Sequence, residues 1–151
     1  MKNQKGVTLL ELIIVMVIIA IGATLMAPGI SSWMPHYRLR SATRDIASTM
    51  RTAQMKAISN NLTYQVSFDP GNRSYILQYQ DTGGGLVNDG DLQVLNNGVQ
   101  FDTTFAGNIA IFRSDSTITG GNVNLVNTKG QKTIRLAGRR IRIELERVYT
   151  Y

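Results

Sequence analysis

From Val7 to Ala27 the chain runs 21 residues with one charged side chain, Glu11. At about 1.5 Å of rise per residue, a helix of that length covers about 30 Å, the thickness of a bilayer's hydrocarbon core. The stretch therefore predicts a helix long enough to span a membrane. A charge at the centre of such a helix costs about 2.5–3.5 kcal/mol, and less near the interface. Glu11 lies only four residues past Val7, so it either meets a partner or snorkels to the headgroups, and depth alone does not choose.

The residues before the run narrow the choice. A basic leader, Met1 to Gly6, has no apolar core of its own, which excludes an ordinary secretory signal. The string Gly6-Val7-Thr8-Leu9-Leu10-Glu11, followed by Leu12–Ala27, resembles the amino-terminal signature of type IV pilins and pseudopilins. One departure is Val7, where that family usually has Phe. The resemblance implies cleavage between Gly6 and Val7 by a membrane peptidase and methylation of the new amino terminus at Val7. It also implies assembly roles for Thr8, Glu11, Gly22 and Pro28, with Glu11 pairing to the amino terminus of an adjacent subunit.

Four segments follow: a cleaved leader at 1–6, a transmembrane and assembly helix at 7–27, its amphipathic continuation at 28–61, and a β-rich head at 62–151. The 151 residues less the run to Ala27 leave 124, enough for one modest core. The formal charge is +6; loss of Lys2 and Lys5 with the leader leaves 14 basic against 10 acidic side chains. Those two lysines favour a cytoplasmic amino terminus, with the rest of the chain outside.

Enzyme chemistry lacks its parts. There is no Cys and one His, His36, so thiol nucleophiles, disulfides and thiolate metal sites are excluded. No nucleophile elbow accompanies His36, and Gly83-Gly84-Gly85 lacks the Lys-Ser/Thr of a phosphate loop. No cofactor is expected.

Pro28 and Pro35 should bend or loosen a helix, since each removes a backbone donor and crowds the preceding turn. Pro28 also suits a membrane exit, and Trp33 and Tyr37 suit interfacial anchors. Leu39, Ala42, Ile46, Met50, Ala53 and Ala57 then recur at helical spacing, with Arg40, Arg44, Ser48 and Arg51 off that stripe. The helix should end near Asn60-Asn61. The Arg row reads as a solvated or subunit-facing surface before it reads as a ligand site.

After Asn61 the pattern becomes alternating. Strands are predicted at Tyr64–Phe68, Arg73–Gln80, weakly at Leu92–Leu95 and Val99–Phe101 about Asn96-Asn97-Gly98, then at Ile109–Phe112, Val123–Val126, Thr133–Leu136 and Arg140–Leu145. Asp81–Asp91 reads as a Gly-rich loop. The fold class is α+β: a long amino-terminal helix, transmembrane then amphipathic, packed against an antiparallel β-sheet head.

Helix phrase Leu39-Arg40-Ser41-Ala42 to Ala53-Gln54-Met55-Lys56-Ala57-Ile58, with Phe112-Arg113-Ser114-Asp115 and Gly138-Arg139-Arg140-Ile141-Arg142, resembles the GspH/FimT group of minor pseudopilins and minor pilins. Gln54 and Lys56 stand where that group has Arg and Glu. In the group, a Gly-Arg-x-Arg motif in this region is tied to DNA binding; here Gly138-Arg139-Arg140-Ile141-Arg142 has one residue more, and it puts forward Arg139, Arg140 and Arg142, with Arg135 added by the strand pairing below. A hairpin turning at Ala137-Gly138 would place Ile134 opposite Ile141 and Arg135 opposite Arg140. Arg135, Arg140 and Arg142 then share the outer face, with Arg139 and Lys129 extending it from the turns. Clustered Arg attracts phosphate backbones, although Glu144, Glu146 or a neighbouring subunit can equally pair with it. Asp89 and Asp91, near Asp81 and Asn88, offer oxygen ligands for calcium, but an Asn-Asp-Gly-Asp run is first a turn former.

The resemblances together imply a structural filament subunit: a minor pseudopilin of a type II secretion system, with a DNA-binding minor pilin or a major pilin as alternatives. Expected partners are other pilin or pseudopilin subunits, a prepilin peptidase, an inner-membrane assembly platform and, in the minor-pilin case, DNA. The expected place is the inner membrane, single-pass, then a periplasmic pseudopilus or surface pilus.

Overall fold

The helix α1 (Leu9–Asn60) begins where Thr8 supplies a cap: its hydroxyl accepts the Glu11 N–H at 3.3 Å and its carbonyl accepts the Leu12 N–H at 3.2 Å. It ends at Asn61, whose φ of 54° is the left-handed conformation that Asn tolerates after a helix. The computed structural model describes residues 7–95 and 98–144, without the side chains of 25–32. Lys2, Lys5, Gly6, Asn96, Asn97, Leu145 and Glu146 therefore lie outside the described residues. Helical structure runs through Pro28 and Pro35 without interruption. The expected loosening is thus not a break, because helix bonds on either side of one missing donor keep the segment helical.

Packing divides the chain into two units, up to Met34 and from Pro35 onward. In the first, the described large apolar side chains stand exposed on every side of α1, from 45 % at Met34 to 78 % at Trp33. A helix apolar all round is one that lipid or other helices must cover. Among the described residues no helix is long and apolar enough to cross a membrane. The described side chains of the run stop at Thr24, so only 16 helical residues from Leu9, about 24 Å of rise, enter that count.

The second unit is built on the later part of α1. Leu39, Ala42, Ile46, Met50, Ala53 and Ala57 are all buried, while Arg40, Arg44, Ser48 and Arg51 are exposed. Thr43 is buried on the same side and satisfies its hydroxyl by donating to the Leu39 carbonyl at 2.7 Å.

Two antiparallel sheets, not one, cover that face. The first contains β1 (Tyr64–Asp69), β2 (Ser74–Gln80), β3 (Leu86–Asn88), β4 (Gln93–Val94) and β6 (Ile109–Phe112), with β1 between β2 and β6. The second runs β5 (Gln100–Thr103), β7 (Gly121–Asn127), β8 (Gly130–Ala137), β9 (Arg140–Glu144). Tyr64, Val66 and Phe68 are buried as alternation predicts. Phe68 of β1 joins the sheets, meeting Phe101 of β5 edge-on at 5.8 Å and stacking on Phe105 at 6.1 Å.

Three sequence expectations change. Asp81–Asp91 is not wholly a loop: Leu86–Asn88 pairs with Gln78–Gln80, a strand too short to show as alternation and made by its partner. The weak strands around Asn96-Asn97 do not pair with each other, since β4 joins β2 and β5 joins β7. The last hairpin turns at Gly138-Arg139, so Arg135 faces Arg142, Ile134 faces Ile143 and Ala137 faces Arg140. Gly138 has φ of 63° at the first turn position, where a tight hairpin favours glycine. The pairing moves by two residues, and an even shift keeps every side chain on its expected face.

Both departures from the helix phrase carry contacts. Gln54 Nε2 donates to the Arg139 carbonyl at 3.3 Å, and Lys56 Nζ donates to Asp89 Oδ2 at 2.7 Å. Together they fasten α1 to the β8–β9 turn and to the segment between β3 and β4.

Two predictions follow from this packing. A Cβ built on Gly121 would lie 2.5 Å from the Phe105 ring, so Gly121→Val should cost about 1–3 kcal/mol of stability, read from the urea midpoint of the full chain in detergent. The half-exposed Lys56–Asp89 pair should contribute at most about 1 kcal/mol, lost in Asp89→Asn. The hydrogen bond from Asp89 holds Lys56 above the ordinary lysine value of 10.5 despite partial desolvation. A raised lysine pKa stabilises fully below that value, and the contribution fades as pH rises through the folded-state value. Wild type should therefore lose its advantage over Asp89→Asn in alkali; an unchanged difference would refute the pairing.

Candidate functional site

Two regions hold the residues singled out by sequence: the start of α1 and the β8–β9 hairpin. At the first, Thr8 and Glu11 occupy the cap and third positions of α1, the Thr-x-x-Glu spacing of a capping box. This local role was missed in the sequence reading, although the spacing is plain in Thr8-Leu9-Leu10-Glu11. It places the carboxylate against the partial positive charge of the helix start, where it is favoured. Glu11 is exposed, and among the described residues no cation forms an ion pair with it. Val7 stands exposed just ahead of the helix, and Gly6 lies outside the described residues.

Among the described residues no heavy atom stands within 4 Å of where a Cβ on Gly22 would lie, so no described neighbour requires glycine there. Thr24, two residues on, returns its hydroxyl to the Ile21 carbonyl at 2.8 Å. The Pro28 side chain lies outside the described set.

At the hairpin, the second sheet exposes Arg135, Arg140 and Arg142 on one face, and with Ala137 and Glu144 they line an open recess. Arg135 and Arg142 are directly opposite across the strands, which leaves two like charges adjacent. Glu144 offsets part of this: its Oε1 lies 3.7 Å from Arg135 Nη1, with both side chains about half exposed, a weak contact. Among the described residues no carboxylate lies within ion-pair distance of Arg140 or Arg142.

Arg139 does not join them. Its carbonyl is held by Gln54, and its charge, with that of Arg113, acts on Asp115. That carboxyl is held below its usual range first by the Thr117 hydroxyl, then by the Thr117 N–H, with the two arginines adding less. Lys129 is further away still, in the β7–β8 turn at the opposite end of β8. The 8 residues of β8 span about 25 Å, so Lys129 cannot extend the patch. The turn itself is fixed from two sides, by Gln54 and by the Ile118 N–H donating to the Gly138 carbonyl at 3.1 Å.

The acidic loop is engaged in its own structure. Asp81 Oδ1 accepts the Gly85 N–H at 2.7 Å, and Asp89 is taken by Lys56. Asp91 is exposed, and its backbone carbonyl accepts from Gln93. Among the described residues no three His, Cys, Asp or Glu side chains are grouped to hold a metal ion. His36 is exposed on α1.

Comparison with known proteins agrees with this division into an apolar helix and a head. Residues 1–27 match the prokaryotic N-terminal methylation motif, and residues 42–143 match type II transport protein GspH. The chain is 29 % identical over 127 residues to type II secretion system protein H of Xanthomonas campestris pv. campestris, covering 82 % of this chain and 72 % of that protein. Its fold is similar to the minor pseudopilin EpsH of the Vibrio cholerae type 2 secretion system, with a TM-score of 0.62 at 13 % identity over 75 % of this chain and 99 % of that one. It is also similar to the type IV minor pilin FimU of Pseudomonas aeruginosa, with a TM-score of 0.61 at 13 % identity over 72 % of this chain and 90 % of that one. The GspH match spans more than half of the sequence and all the strands but the last residue of β9, and it shows the relationship: this chain belongs to the type II transport protein GspH family.

Proposed function

We propose that this chain is a minor pseudopilin, a structural subunit of the type II secretion pseudopilus, anchored in the inner membrane before assembly. The observation that carries the reading is the GspH match over the head joined to a methylation motif over an apolar helix with no cover of its own. Burying that helix among the helices of neighbouring subunits removes it from lipid without exposing it to water. The subunit works by packing and not by catalysis.

Processing between Gly6 and Val7 would remove Lys2 and Lys5 and create a charged amino terminus one residue before the Thr8 cap. Prepilin peptidase and the inner-membrane assembly platform are the partners this step requires. Glu11 would then pair with the amino terminus of a neighbouring subunit's Val7, which turns an uncompensated charge into a register device. Gly22 and Pro28 would serve the same assembly, by close helix approach and by easing the helix.

A second reading rests on Arg135, Arg140 and Arg142, whose shared face suits a phosphate backbone. It makes the chain a DNA-binding minor pilin, and it predicts salt-sensitive duplex binding that Arg140→Gln with Arg142→Gln abolishes. Absence of binding by the unmodified chain in detergent would end this reading.

For the main reading, Glu11→Gln and Glu11→Ala should insert into the membrane normally but enter the assembled filament several-fold less, measured by the share of subunit in sheared pseudopili. Equal incorporation of both variants would refute the pairing. Mass spectrometry of a Gly6→Leu variant should show Lys2 and Lys5 retained.

A further inference from the structure

The end of the second unit at which α1 runs in carries a group of cations that neither site uses. Asn127 Nδ2 donates to the Pro35 carbonyl at 2.6 Å, which fixes the β7–β8 turn beside the first residue of the unit. The same side chain accepts the Lys129 N–H at 2.9 Å, so one residue shapes the turn and ties it to the helix. Lys129 projects from that turn and is exposed.

Lys132 lies three residues on, half-buried, on the face of β8 that it shares with Ile134 and Leu136. Those two are buried against the core that includes α1, so Lys132 is turned toward the helix rather than to the outer face with Arg135. Arg40 and Arg44, one helical turn apart and exposed, supply the other side. Burial first, then the charges of Arg40 and Arg44, lower the Lys132 pKa, as expected of three cations brought together without an acid between them. Asp45, the nearest acid in sequence, accepts from Ser41 and acts on Tyr75 in the first sheet. Among the described residues no carboxylate forms an ion pair with Arg40, Arg44 or Lys132. An outside anion would relieve this repulsion.

We propose that Arg40, Arg44, Lys129 and Lys132 form a surface that holds the head against anionic phospholipid headgroups while the subunit waits in the membrane. This rests on the membrane-anchored reading given above. Only seven residues separate Ala27 from Pro35, so the chain holds this end within about 28 Å of the apolar run even if fully extended. A lipid surface is thus the anion present at the highest effective concentration. Basic side chains bind an anionic leaflet strongly within a Debye length and release it in salt. Extraction into the filament would exchange this contact for protein neighbours, so the surface would work as a reversible rest and not as a permanent dock.

The chain has no Cys, so a single one introduced at Thr128 can carry a spin label without side reactions. The full chain would be reconstituted in nanodiscs of neutral lipid or with about 30 % phosphatidylglycerol, and relaxation by headgroup-chelated nickel would be measured. The label at Thr128→Cys should approach the headgroups several-fold more in the anionic discs, and a control label at Thr82→Cys should not respond. Raising salt to about 0.5 M, or combining Arg40→Gln, Arg44→Gln and Lys132→Gln, should abolish the difference. Indifference to lipid charge, or a response that persists in the triple variant, would overturn the proposal and turn the surface toward an acidic protein. A chain that fails to enter discs of either composition would overturn the anchored reading itself, and this inference with it.

Discussion

Everything in the head depends on one stripe of helix. Leu39, Ala42, Ile46, Met50, Ala53 and Ala57 give two sheets a common floor, and removal of that floor would leave each sheet with an apolar face open to water. The stripe mixes large with small residues: Leu39, Ile46 and Met50 fill volume, and Ala42, Ala53 and Ala57 take little of it. A single helix thus supplies the floor of the head and, toward its start, the apolar segment for which an assembly role is proposed.

The remaining constraints act at the edges of that floor. Phe68, Phe101 and Phe105 close the seam between the sheets, and Gly121 is small because the Phe105 ring occupies the space its side chain would need. Gln54 and Lys56 then determine where two turns lie. Each reaches from the helix to a segment far away in sequence, Arg139 and Asp89. Their individual energies are small, as exposed hydrogen bonds and ion pairs are. Their effect is on position, and the arginine face inherits its geometry from them.

The sequence was informative where a periodicity extends over many residues. The helix stripe, the buried alternation of Tyr64, Val66 and Phe68, and the outward placement of Arg135, Arg140 and Arg142 were all legible because burial repeats at a fixed interval. It was silent where pairing partners decide. Leu86–Asn88 is a strand only because Gln78–Gln80 lies beside it, and β4 and β5 part company because of sheets that no local window contains. The hairpin was misplaced by two residues since both Ala137-Gly138 and Gly138-Arg139 contain the needed glycine. An even slip leaves the face unchanged, so the candidate patch survived an error in register. Arg139 and Lys129 were assigned to it by proximity in sequence, and the ends of β8 separate them from it.

Glu11 shows how a local role can coexist with the assembly role proposed for it. A carboxylate deep in an apolar helix would need a partner at all times, and a subunit waiting in the membrane has none. At the third position of α1, behind the Thr8 cap, it instead meets the positive end of the helix. The proposed pairing in a filament therefore needs only to be better than this resting environment, not to rescue a buried charge. Substitution by Gln retains a polar side chain of the same length and removes the charge, whereas Ala removes both. If Glu11 served only to cap the helix, Gln would be mild and Ala worse. If the charge sets register between subunits, both lose assembly alike, and that contrast separates the two roles.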